Sequence, residues 1–243
     1  MTDIYVFGVF IVSSFMQTAT GFGYAIITAP LLALVLAPKE TVILTMLTGL
    51  IIRLMMMGVT KNNGSFKAIL PLITASLAGA IPGAYVLSTI SNDSLKIFIA
   101  VILILATLAL WKDYRIKIAR NKAVEFIVGG VSGFLGTSTA INGPPVILYY
   151  LNAGADENKE VFRGNLTRYF LLINIISILL LYLNGTIKID EIWFKTAMSV
   201  PALAIGFFLG ERLFRKLNAE FFRKISLILV LISSLVIIMT TVK

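Results

Sequence analysis

Thr137, Ser138, Thr139 and Asn142 lie within six residues of one another, between Gly136 and the Gly143-Pro144 pair, in a stretch otherwise apolar enough for a membrane. A similar set, Gln17 and Thr20 followed by Gly21-Phe22-Gly23, interrupts the first apolar run. Hydroxyls and amides are neutral donors, and a helix broken among them exposes N–H groups at the positive end of a half-helix dipole. Both suit an anion. Any one hydroxyl is equally served by bonding back to its own helix, but two clusters beside Gly and Pro point to a binding site.

Positive charge can come from Arg53, twelve residues into an apolar run, and from Arg168, which follows Asn165 at the border of another. A guanidinium offers a planar fork matched to carboxylate or sulfonate oxygens. Snorkelling of Arg53 to the headgroups is the competing explanation. No Asp or Glu lies deep in an apolar run: Glu40, Glu125, Glu160 and Glu211 flank them, so a carboxylate relay at the midplane is not expected. The chain has no Cys and no His, which removes disulfides, thiolates and imidazole metal sites. No metal or cofactor is expected.

The elements that must hold these residues follow from composition. Of 243 residues 58% are apolar and 14% charged, against about 25% charged in soluble domains. Apolar runs recur along the whole length, and spanning needs roughly 20 residues. The ten-residue alternation of a β-barrel is missing. The expected fold is therefore an all-α integral membrane protein of about eight transmembrane segments forming one membrane domain. The N-terminus has no basic leader or small-residue cleavage site, so no removable signal peptide is expected. The net charge of +9 fits basic loops that orient helices during insertion, not a nucleic-acid partner.

A shift of 115 positions lays Gly21 on Gly136, Pro30 on Pro145, Gly49 on Gly164 and Arg53 on Arg168. A shift of 127 lays Gly79 and Gly83 on Gly206 and Gly210. Two four-element halves result. Residues 1–115 hold a broken segment at 5–37 and helices at 41–59, 68–90 and 95–111. Residues 116–243 hold a broken segment at 123–151 and helices at 165–183, 193–211 and 221–241. If all eight segments cross once, Lys and Arg outside the runs divide ten to ten. If 5–37 and 123–151 each turn back, they divide fifteen to five. The positive-inside rule favours the second arrangement, in which the halves have inverted topology.

Gly21-Phe22-Gly23 with Ala29-Pro30-Leu31-Leu32, and Gly133-Phe134-Leu135-Gly136 with Gly143-Pro144-Pro145-Val146-Ile147-Leu148-Tyr149-Tyr150-Leu151, resemble the paired signatures of the TauE/SafE permease family. The resemblance covers nearly the whole chain. It implies a secondary transporter of small anions, chiefly sulfite, sulfonates and related sulfur-containing organic anions. Export is the expected direction, and the implied location is the plasma membrane of a bacterium or archaeon. Many members carry a glycine triplet where this chain has Gly23-Tyr24-Ala25 and Ser138-Thr139-Ala140, a departure that reshapes the pocket floor.

The expected partners are a small anionic substrate and the lipid bilayer, and a homodimer is compatible with both. A passive anion channel, or a carrier of a non-sulfur organic anion, would use the same residues. A membrane enzyme is disfavoured, because nothing combines nucleophile, base and metal ligand and Ser138 has no His partner.

Overall fold

A computed structural model describes residues 2–111, 121–152, 158–187, 189–214, 228, 231–239 and 241. In chain order the helices are α1 (Thr2–Thr20), α2 (Tyr24–Ala33), α3 (Pro38–Thr60), α4 (Phe66–Thr89), α5 (Asn92–Trp111), α6 (Lys122–Thr139), α7 (Gly143–Asn152), α8 (Lys159–Leu183) and α9 (Ile189–Leu213). Residues 231–239 are also helical, and no strand occurs among the described residues. Six helices, α1, α3, α4, α5, α8 and α9, are long and apolar enough to cross a membrane. The chain is a multi-pass, all-helical membrane protein. Its outer surface is apolar, with Ile81, Phe126, Leu183 and Phe208 among the exposed side chains. Most of the basic linker from Lys112, with the boundary between the expected halves, lies outside the described residues, as does much of 221–241.

The runs expected as single broken segments each form a long helix, a three-residue break and a ten-residue helix. In both, the short helix returns beside the long one. The Tyr5 hydroxyl, at the start of α1, donates to the Leu31 carbonyl near the end of α2 at 3.0 Å. The Tyr149 hydroxyl of α7 donates to the Glu125 carboxylate at the start of α6 at 2.9 Å. At 1.5 Å per residue a straight continuation would hold either pair tens of ångströms apart.

The breaks are made alike. The Gly21 N–H closes α1 on the Gln17 carbonyl at 2.8 Å, and the Ala140 N–H closes α6 on the Gly136 carbonyl at 2.9 Å. Both residues are left-handed, at φ 87° and 66°. Glycine takes this conformation freely, whereas for Ala140 it costs about 1 to 2 kcal/mol. Thr20 and Thr139 then do the same work. Each hydroxyl donates to the carbonyl four residues back, at 2.8 and 2.7 Å, and accepts the N–H two residues on, at 3.3 and 3.2 Å. The backbone thus matches Gly21 with Ala140, a spacing of 119, and not with Gly136 at the spacing of 115 that residue identity favoured.

Glycines set the tightest packing, and it pairs an early helix with a late one. A Cβ on Gly79 of α4 would fall on the Gly130 carbonyl of α6, and one on Gly83 would lie 2.6 Å from the Phe134 oxygen. A Cβ on Gly206 of α9 would strike Ser14 and the Ile11 carbonyl of α1, and one on Gly210 would lie 2.7 Å from the Phe15 oxygen. Without a hydrophobic drive inside lipid, such backbone approach is what holds helices together. Ile11 with Gly130, and Phe15 with Phe134, repeat the spacing of 119.

Polar contacts place the helix ends at two faces. Lys195 at the start of α9 pairs with Glu40 at the start of α3, and Lys39 donates to the Ser88 carbonyl at the end of α4 at 3.0 Å. At the other face Arg168, early in α8, donates to carbonyls of Thr60, Lys61 and Asn63 at the end of α3. Tyr150 of α7 reaches Ala68 at the start of α4 there, at 3.5 Å. This second, basic face carries Lys61, Lys67, Lys122, Lys159, Arg163 and Arg212. The α1–α2 hairpin therefore enters from one face and the α6–α7 hairpin from the other.

Candidate anion site

About two thirds of the way along α3, Arg53 is buried at 3% exposure. It has not snorkelled. Its guanidinium carbon lies 5.4 Å from the centre of the Phe170 ring on α8. No carboxylate pairs with it among the described residues, and its Nε has no hydrogen-bond acceptor. Gly49, one turn earlier, makes room: a Cβ there would collide with Nη1 of Arg53 and lie 3.4 Å from both the Asn174 amide nitrogen and the Tyr24 ring.

Several buried hydroxyls of the surrounding helices are unpaired. Tyr24 and Thr28 lie one turn apart at the start of α2, and neither hydroxyl has a partner. Thr28 and Thr48 are the side chains beside the Tyr24 hydroxyl, yet Thr48 donates instead to the Leu44 carbonyl at 2.6 Å. Thr45, one turn before Gly49, is unpaired as well. Asn174 of α8 donates to the Met46 carbonyl at 2.8 Å. Buried polar groups are nearly always hydrogen-bonded, and a buried cation without a partner is costlier still. Here a cation without a carboxylate partner and several unpaired hydroxyls lie on the adjoining helices α2 and α3.

The two breaks reach this cluster from opposite faces. Gly23 caps α2 with no side-chain hydrogen bond, and Tyr24 directly follows it. Gly143, which opens α7, would place a Cβ 3.7 Å from Phe170 and 3.9 Å from Ile26. Gln17 braces the first break, donating to the Gly21 carbonyl at 3.0 Å and accepting the Tyr24 N–H at 3.2 Å. Position 136 of α6, the counterpart of Gln17 at the 119 spacing, is a glycine. Asn142 fills that space, its Cβ 2.8 Å from where a Cβ of Gly136 would lie. Each break thus carries one amide, supplied from below in one and from above in the other. The α7 end is the poorer donor, since Pro144 and Pro145 in its first turn have no N–H.

Other residues expected at the site are engaged elsewhere. Ser138 donates to the Phe134 carbonyl of its own helix at 2.7 Å, and Thr137 pairs with Ser177 of α8 at 2.7 Å. The Phe22 carbonyl lies 2.7 Å from the Thr20 hydroxyl, an alternative acceptor to the Met16 carbonyl for its one proton. Arg168 is spent on the carbonyls that end α3 and on Gly164 at 3.0 Å. Asn165 accepts the Ser65 N–H at 2.8 Å, and a Cβ on Gly64 would touch it. Together Arg168 and Asn165 clasp the α3–α4 loop. Tyr24, Thr28, Thr45 and Asn174 were not among the expected residues. The signal for Thr45 was a buried threonine stripe on α3, Thr41, Thr45 and Thr48; Thr28 and Asn174 carried none of that kind.

The chain is thus a multi-pass helical membrane protein in which an arginine, without a carboxylate partner among the described residues, lies buried between α3 and α8. The chain belongs to the family described as sulfite exporter TauE/SafE, whose model matches residues 5–237. This is a family of transporters, not of enzymes. No curated protein and no solved structure matched the chain.

Proposed function

We propose that the protein is a secondary transporter that exports a small sulfur oxyanion, sulfite or an organic sulfonate, by alternating access around Arg53. The observation that carries this reading is the buried guanidinium without a carboxylate partner among the described residues, with the Tyr24 ring beside it at Gly49 and the hydroxyls of Tyr24, Thr28 and Thr45 on the adjoining helices lacking partners. An oxyanion entering there would supply the missing acceptor for all of them at once. Phe170 and the tyrosine ring leave a face for the apolar part of a sulfonate. Asn174 and the two amides of the breaks, Gln17 and Asn142, border the path.

The two hairpins, with their matched breaks and exchanged glycine contacts, support an inverted repeat of residues 1–115 and 116–243. Alternating access then follows from rocking one hairpin pair against the other. The face carrying Lys61, Lys67 and Lys122 is cytoplasmic by the positive-inside rule, in the plasma membrane of a bacterium or archaeon.

The test is a thermal-shift screen of the purified protein against sulfite, thiosulfate, methanesulfonate, sulfoacetate, sulfate and acetate, since a ligand of the native state alone raises its stability. A rise with sulfur oxyanions that Arg53→Gln removes is expected. A rise with neutral solutes and none with any anion would overturn the reading. Trans-stimulated counterflow in proteoliposomes separates a carrier from a channel.

A further inference from the structure

We propose that the anion bound at Arg53 passes to the face opposite the basic one between α2 and α3, along the unpaired hydroxyls of Tyr24, Thr28, Thr45 and Thr41, into a cavity at that face. This rests on the reading of Arg53 as an anion site and adds the route by which the ligand leaves it.

Thr41, Thr45, Gly49 and Arg53 follow one another at intervals of four along α3. Residues so spaced form one ridge of a helix, here about 18 Å from first to last at 1.5 Å per residue. α2 packs beside α3, and the short turn between them makes the two antiparallel. Their register is set at the inner end, where a Cβ on Gly49 would lie 3.4 Å from the Tyr24 ring, and where Thr28 and Thr48 flank the Tyr24 hydroxyl. One turn further out Thr28 is level with Thr45, and one turn beyond that Leu32 is level with Thr41.

Helical threonines elsewhere satisfy themselves. Thr20, Thr48, Thr60, Thr139 and Thr167 each donate to the carbonyl four residues back, the usual recourse of a hydroxyl in a helix away from water. Thr28, Thr41 and Thr45, at 0%, 0% and 1% exposure, do not. Leaving a buried group unsatisfied costs about 1 to 3 kcal/mol, and it keeps these three hydroxyls as donors for an oxyanion moving between the helices. The row is one-sided. From Arg53 toward the basic face α3 continues with Met55, Met56 and Met57, and its next hydroxyl, Thr60, is spent on the Met56 carbonyl.

A cavity of about 250 Å³ meets the row from the other face, lined by Phe7, Phe10, Leu36, Leu44, Lys195 and Ser199 among others. It reaches in as far as Leu44, which is 1% exposed and next in sequence to Thr45. Asp3 and Lys195 on its wall are of opposite sign, so it concentrates no positive charge and suits exit more than capture. Its apolar walls accept the hydrocarbon part of an organic sulfonate.

The chain has no native cysteine, so Thr28→Cys, Thr41→Cys and Thr45→Cys each carry a single thiol. The purified protein is treated with 2-sulfonatoethyl methanethiosulfonate, itself a sulfonate, and with its trimethylammonium counterpart, and modification is followed by mass spectrometry. All three thiols are expected to react, faster with the anionic reagent, and that preference is expected to vanish when Arg53→Gln is added. Met46→Cys, buried at the depth of Thr45 but on the side where its carbonyl accepts from Asn174, is expected to stay unmodified. Methanesulfonate binding that Arg53→Gln abolishes, together with three unreactive thiols, would overturn the route and leave the central site standing. Equal reaction at Met46→Cys would overturn it as well, since the whole helix would then be open. An anionic preference that survives Arg53→Gln would remove Arg53 as the inner end of the route, and the anion site with it. Thr41→Val, about three turns from Arg53, is expected to keep its methanesulfonate affinity while counterflow slows by up to about tenfold, the worth of one hydrogen bond. Counterflow at the wild-type rate in that variant would mean that no anion passes Thr41.

Discussion

Gly49 and Arg53 share one space: the guanidinium occupies the volume that any side chain at position 49 would need. A β-carbon there pushes Nη1 off Phe170 and away from the donors of α2. Gly49→Ala is therefore expected to insert and fold while losing about tenfold or more in sulfonate flux, a difference of about 1.4 kcal/mol. Flux into proteoliposomes at equal protein content checks this.

Arg53 and Arg168 should respond oppositely to loss of charge. Arg53→Met removes a buried cation that no carboxylate compensates among the described residues, so thermal stability is expected to hold or rise while transport is lost. Arg168→Met strips the carbonyls ending α3 of a charged donor, where each such bond contributes about 1.5 to 3 kcal/mol. Its melting temperature is expected to fall. Melting curves of both variants beside their flux decide the matter.

The unpaired hydroxyls allow a sharper separation of stability from function. An unsatisfied buried group costs about 1 to 3 kcal/mol, so Thr28→Val and Thr45→Val are expected to stabilise the empty protein and weaken anion binding. Stabilisation with unchanged affinity in both would sever these residues from the site.

Gly79 and Gly206 are equivalents in the two tightest helix contacts. Leucine at either would force backbones apart, and overpacking of this kind costs about 1 to 3 kcal/mol or more. Similar losses of folded protein are expected from Gly79→Leu and Gly206→Leu, measured by size-exclusion chromatography after extraction. A large loss in one and none in the other would break the equivalence.

The hairpin can be seen directly, because the chain has no native cysteine to remove. Ile4→Cys and Ala37→Cys flank the α1–α2 hairpin and are expected to react with an impermeant maleimide from the same face. Labelling from opposite faces would mean that the segment crosses.

Much of the fold was legible because membrane helices announce themselves by composition and length. The helix expected at 41–59 is Pro38–Thr60, and that expected at 68–90 is Phe66–Thr89. The breaks were visible as Gly and hydroxyl clusters, and the excess of lysine and arginine on one side favoured their turning back. By identity Gly21 resembles Gly136, 115 positions on, whereas by backbone conformation the two breaks match at 119, Gly21 with Ala140. The site was harder to read. Arg53 was expected there, but Arg168, its match by spacing, is consumed by the end of α3. Whether a guanidinium is free or spent depends on carbonyls more than a hundred residues away, and Tyr24 looked like one more apolar-run aromatic until its hydroxyl proved to have no partner.

The exchanged contacts bear on how the chain is made. α1 is made well before the helix it packs most closely against, α9, which begins at Ile189, so the first hairpin must wait in the bilayer while the intervening helices are made, with its Ser14 and Thr18 face uncovered. α4, by contrast, meets α6 soon after both are made. The pairing of α4 with α6 can assemble as the chain inserts, and that of α1 with α9 closes later.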